Sequence, residues 1–141
     1  MIKTAVVSNF CLTIVVVFVL LALFYASLFM IDSLVIFNGQ NQPITIKSVQ
    51  INGSEVDSDR QPIPVTLSHS SNRSAYHGAG LWLNYRTISP EVNLVVELID
   101  ISTGMVSKRS CTYRRTDRIR CFVEVSVSND SLTCGTCDSV F

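Results

Sequence analysis

Between Lys3 and Asp32 the chain has no charged residue. That absence excludes the ordinary surface helix of a globular domain, which sets a polar face against an apolar one. Net charge is absent too: 11 lysines and arginines balance 11 acids over 141 residues. No overall field draws the protein to a polyanion, so no nucleic acid is expected as a partner. No GxSxG nucleophile elbow occurs, and HGAG at 77–80, which has the look of an oxyanion loop, stands without one. The only histidines, His69 and His77, share one polar loop with no carboxylate near them in sequence, and they read as solvated loop residues rather than a metal pair. With no catalytic constellation, the expectation is a non-enzyme with no cofactor and no metal site.

What fills the charge-free stretch is almost unbroken apolar sequence from Ala5 to Ile31, and Phe10 to Ile31 alone is 22 residues. At 1.5 Å per residue, roughly 20 residues cross the hydrocarbon core of a bilayer. A buried helix of a soluble protein is usually shorter and broken by polar residues. A cleaved signal peptide needs an apolar region of about 7–15 residues and small residues at −3 and −1, whereas the best cut here, after Ala26, leaves Phe24 at −3. Residues 1–37 therefore read as an uncleaved transmembrane signal anchor. Lys3 and the amino terminus flank one end and Asp32 the other, which leaves the amino terminus in the cytoplasm and the rest outside it. The outer side is a periplasm, or a lumen or the cell exterior in a eukaryote. Ala22 and Ala26, with Ser27 beside them, are small enough to permit close helix packing, although lipid anchoring alone asks for no such face.

After a polar linker at 38–43 the period changes from helical to alternating. Ile44, Ile46, Val49 and Ile51 form a strand-like run ending at the turn dipeptide Asn52-Gly53. PIPVTLS and LWLNYRT give two more strands around a hydroxyl-rich loop. Val92, Leu94, Val96 and Leu98 share one face of the next, which turns at Ser102-Thr103-Gly104 into a strand from Met105 to Arg114. The last, from Ile119 to Val127, puts Ile119, Cys121, Val123, Val125 and Val127 on one side. Six strands and no amphipathic helix beyond two turns predict an all-β fold: an Ig-like antiparallel β-sandwich of six to seven strands over 44–128, with a partly open barrel as the alternative. The resemblance to Ig-like domains is one of strand pattern only, because Trp82 precedes both Cys111 and Cys121 and the Cys…Trp…Cys order is missing.

Cysteine usage agrees with an oxidising compartment. Cys11 lies in the apolar segment, and Cys111, Cys121, Cys134 and Cys137 lie beyond it, an even number that reads as disulfides. In CTYRRTDRIRC, at 111–121, a hairpin turning at Thr116 sets Cys111 opposite Cys121, at a spacing a disulfide accepts. The default is thus 111–121 with 134–137, although a CGTC ring is strained and the tail at 129–141 is free to pair elsewhere. A zinc site from the four cysteines would be expected to show two close pairs, and only one exists. Too few residues follow Cys137 for the helix that activates a redox CxxC.

The same register sets Arg114 opposite Arg118, Thr112 opposite Arg120, Ser110 opposite Phe122 and Lys108 opposite Glu124, and it leaves Arg109 on the inward side, at the core's edge or past a bulge. Arg114, Arg115, Arg118 and Arg120 then make a basic tip. It reads either as a solvated edge that discourages aggregation or as a docking surface for an acidic protein or anionic surface, since guanidinium pairs bidentately with carboxylate and phosphate. The function expected is that of a membrane-anchored interaction subunit docking within a membrane protein complex. The alternative is thiol–disulfide or metal handling by Cys134 and Cys137. Sequons stand at Asn52, Asn72 and Asn129, which matter only in a eukaryote or its virus, and the terminal Ser139-Val140-Phe141 reads as a floppy tail, although PDZ-like domains capture such ends.

Overall fold

The computed structural model describes residues 2–29, 31–71, 79–87, 89–115 and 121–137, with side chains in the helix described from 11 to 26. The chain divides into two compact units, Met1–Met30 and Ile31–Phe141. The first is one helix, α1 (Ile2–Phe29). Its bulky apolar side chains are exposed on every side, from Leu12 at 65 % through Phe18 at 69 % to Tyr25 at 60 %. Among the described residues no helix is long and apolar enough to cross a membrane, so the fold by itself assigns no membrane role.

The second unit is a β-sandwich. One sheet runs in the order β5 (Leu81–Arg86), β1 (Ile31–Asn38), β8 (Phe122–Val127), β9 (Leu132–Cys134). The other runs β3 (Ser54–Glu55), β2 (Ile44–Ile51), β6 (Glu91–Asp100), β7 (Val106–Arg114), with β4 (Val65–Leu67) also beside β2. Leu34, Ile36, Leu81, Leu83, Val123 and Val125 of the first sheet meet Ile46, Val49, Val92, Leu94, Val96 and Leu98 of the second in one apolar core. The alternating residues read from the sequence therefore fill this core. In β2 the spacing Ile46 to Val49 breaks the period of two, and a register shift between Ile46 and Ser48 restores all four apolar residues to the inside. The turns follow their sequences: Asn52 and Gly53 both have positive φ, 51° and 82°, as a tight hairpin between twisted strands requires.

Four expectations need correction. Residues 31–37, read as part of the anchor, belong to β1, which lies between β5 and β8 at the centre of its sheet. The pattern was hidden because Leu34, Val35 and Ile36 are all fully buried, so the strand reads as a continuation of the apolar run. The linker at 38–43 is tied down by Asn38, whose Nδ2 donates to Gln42 O at 2.7 Å and Leu67 O at 3.0 Å while its Oδ1 accepts from Gln40 N. The sandwich is not wholly antiparallel, since β1 and β8 pair in parallel. The tail at 129–141 is not an appendage either, because β9 adds to β8 through Val125–Cys134.

A second, smaller cluster covers the outer face of the first sheet. Val35 and Phe122 are buried there beneath Phe37 and Trp82, with the Trp82 and Phe122 rings 5.6 Å apart.

The register is open to test. Val123 is fully buried, and Val123→Asp should cost more than about 3 kcal/mol by burying an unpaired charge. Thr133→Asp, exposed on β9, should stay within about 0.5 kcal/mol of wild type. Denaturant melts of the full chain in mild detergent decide; equal midpoints would contradict the assigned faces.

Candidate functional site

The stretch 111–121 does not form the expected hairpin. β7 pairs with β6 in one sheet, and β8 pairs with β1 and β9 in the other. The chain between them passes from sheet to sheet, so the cysteines share an inward parity without standing opposite each other. Cys111 is joined instead to Cys134, and Cys121 to Cys137. β9 makes this geometry possible: it lays Cys134 at the edge nearest β7, and Gly135 N donates to Glu124 O at 2.7 Å to carry the chain on toward Cys121. The two cysteines of CGTC thus have separate partners, and the pairing of 111 with 121 and 134 with 137 is overturned. The cross-strand pairs built on the hairpin fall with it. Lys108 faces Glu97 of β6, not Glu124, and Arg114 faces Glu91.

Arg115 is withdrawn from the basic tip. Its Nε lies 2.6 Å from Oδ2 of Asp32, a close ionic contact in which the N–H is not aligned on the oxygen. Its Nη2 donates to Asp32 Oδ1 at 3.1 Å and its Nη1 to Thr87 O at 2.6 Å. Asp32 has no exposed surface, and its Oδ1 also accepts from Cys121 N at 2.9 Å. One carboxylate therefore holds β1 to the end of β7 and to the start of β8. Sequence reading missed this role because Asp32 stood where a membrane-flanking charge is expected. The signal available was parity: Asp32, Leu34, Ile36 and Asn38 share a side of IDSLVIFN.

Beside the pair, Tyr113 is buried, and its hydroxyl has no hydrogen-bond partner among the described residues. Burial first, and then the Asp32 carboxylate, raise its pKa far above the ordinary tyrosine value, against a smaller lowering by Arg115. No family model matches this chain. No curated protein matches it either.

Of the other basic residues singled out, Arg114 is exposed on β7, while Arg118 and Arg120 lie outside the described residues, as do His77, Asn72 and residues 139–141. Arg109 is half-buried and donates through Nη1 to Ser128 O, which accounts for its inward parity. With Gln40, Gln42, Asp100, Ser107 and Asn129 it lines an open polar cleft of about 390 Å³. His69 Nδ1 is 2.8 Å from Gln40 O. Among the described residues no group of three or more His, Cys, Asp or Glu is placed to hold a metal ion. On the outer face of β6, Glu97 is held below the usual carboxylate range by its hydrogen bond from Lys47, at 2.9 Å, with Lys108 at 3.6 Å on its other oxygen.

Two outcomes follow. Glu-C and trypsin digestion without reduction should leave Cys111 and Cys121 each bonded to the peptide that carries Cys134 and Cys137; a released 111–121 pair would contradict the structure. The raised Tyr113 pKa disfavours its anion in the fold. Its contribution to stability is therefore complete below the ordinary value of 10.0 and is lost as pH rises above it. Tyr113→Phe should flatten this alkaline decline in equilibrium denaturation, without destabilising the protein at neutral pH.

Proposed function

We propose that the chain is a non-catalytic, single-pass membrane-anchored interaction subunit. Its Ig-like, disulfide-stapled sandwich stands on the extracytoplasmic side and docks within a membrane protein assembly. The observation that carries the reading is α1: apolar side chains cover its whole circumference and stay exposed from Leu12 to Tyr25. Exposed apolar surface of that kind is covered either by a protein core or by lipid. The sequence continues the apolar run beyond the side chains described, without a charge from Thr4 to Ile31.

Two disulfides within the sandwich, against one free cysteine, Cys11, in α1, support an oxidising compartment for residues after 31. The sandwich offers an exposed arginine, Arg114, next to a chain segment whose sequence adds Arg118 and Arg120. Such a surface suits an acidic partner or an anionic surface.

Topology tests the reading. Cells expressing a Cys11→Ser chain with Thr103→Cys, a change in the exposed turn before Gly104, are treated with a membrane-impermeant maleimide. Labelling of intact cells, with the chain retained in membranes through an alkaline carbonate wash, is the expected result. Release by the wash, or labelling only after permeabilisation, would refute the anchor and its orientation.

A further inference from the structure

A sandwich has four sheet edges, and each unpaired edge strand is a template for another chain. Three of the four are short or covered. β9 has three residues; β3 and β4, along the far side of β2, have two and three. β5 has six, but Ser58 Oγ donates to its Trp82 carbonyl at 2.8 Å, and Arg60 lies 5.2 Å over the Trp82 ring.

β7 is different. It has nine residues and, among the described residues, pairs on one side only, with β6. Arg115 N donates to Pro90 O, and Asp100 N donates to Met105 O. These bonds fix which backbone groups face β6: those of residues 105, 107, 109, 111, 113 and 115. In an antiparallel ladder the alternate residues face away. Val106, Lys108, Ser110, Thr112 and Arg114 therefore direct their N–H and C=O groups outward along a free edge, and all five are exposed. The strand is held from the inside, by Cys111–Cys134 and by Arg109 on Ser128, while among the described residues no strand pairs with its outer edge.

Charge selects the occupant. β7 carries Lys108, Arg109 and Arg114 and no acid. A second copy of β7 laid along it would bring six cations together with no acid on either strand. Lys108 shares Glu97 with the nearer Lys47, and Arg114 makes no ion pair among the described residues. Lys108 and Arg114 stand on the same face of the strand, six residues apart, or about 20 Å at the rise of a β-strand.

We propose that the free edge of β7 receives an extended acidic segment of a partner protein as an added strand, with carboxylates opposite Lys108 and Arg114. This deepens the interaction-subunit reading and rests on it. The main chain supplies the ladder and the two cations set register and sign.

The probe is a capped nine-residue peptide of alternating valine and threonine with glutamates six positions apart; a twin carries lysines in their place. Amide hydrogen exchange is read on the full chain in detergent. In the free protein the amides of 108, 110 and 112 exchange fast while those of 109, 111 and 113 are protected. The glutamate peptide slows the first set about tenfold, and the lysine peptide leaves it unchanged. Ser110→Pro removes one outward N–H, which an edge strand tolerates, and abolishes the slowing while the odd-numbered amides stay protected. Lys108→Glu with Arg114→Glu transfers the effect to the lysine peptide, which tests the idea even if the proline variant does not fold. Equal effects of the two peptides, even-numbered amides already slow in the free chain, or undiminished slowing in a folded Ser110→Pro protein would each overturn the proposal. A chain that washes off membranes defeats the anchor alone and leaves the peptide result standing.

Discussion

A carboxylate with no exposed surface sits three residues past the last position of an apolar helix, and the sandwich is organised around it. Arg115 and the Cys121 amide both meet Asp32 there, and a buried carboxylate needs such ionic and hydrogen-bonding partners. Those partners lie at the end of β7 and the start of β8, which belong to different sheets. The pair therefore fixes two things together: where β1 enters its sheet, and how the end of β7 stands to the start of β8. As a net source of stability it counts for little, because desolvation offsets most of the attraction. Its effect is on register. A slip of β1 by one residue would turn Asp32 away from Arg115 and put Ser33 and Val35 where Leu34 and Ile36 pack.

The disulfides belong to the same arrangement. Cys121 supplies the amide that binds Asp32 and is itself joined to Cys137, while Cys111 on β7 is joined to Cys134 on β9. Each bond links β7 or the start of β8 to the C-terminal segment. The side of the sandwich where β7 and β9 approach is thus covalently closed, and the hydrogen-bonding edge of β7 remains outside that closure. A rigid edge loses little entropy when a partner strand docks, which is the physical advantage such a surface brings to an interaction subunit.

Much of this was legible in sequence, and the losses have identifiable causes. Period-two alternation located β2, β6 and β8 and their core residues, even across the irregularity between Ile46 and Ser48, because one face of each strand is buried and the other is not. β1 was lost because burial on both faces erases the alternation, leaving LVIF indistinguishable from the apolar run before it. The disulfide pairing was lost for a subtler reason. Parity reports which face of a sheet a residue occupies, and both sheets of a sandwich share one interior, so Cys111 and Cys121 satisfied the geometry of facing strands while belonging to facing sheets. Arg115 was counted among surface cations because nothing local distinguishes it from Arg114; its partner is 83 residues away.

The central claim is that Asp32 and Arg115 act as one unit that pins β1. The direct measurement is a double-mutant cycle on the full chain in detergent, with Asp32→Asn, Arg115→Gln and both together, each taken through a denaturant melt. If the pair is coupled as described, each single change costs about 3–5 kcal/mol by removing the ionic partner of a buried charge, and the double variant costs far less than their sum, a coupling of about 2–3 kcal/mol. Additive losses, with a coupling under about 0.5 kcal/mol, would contradict the account and leave β1 held by its apolar side chains alone.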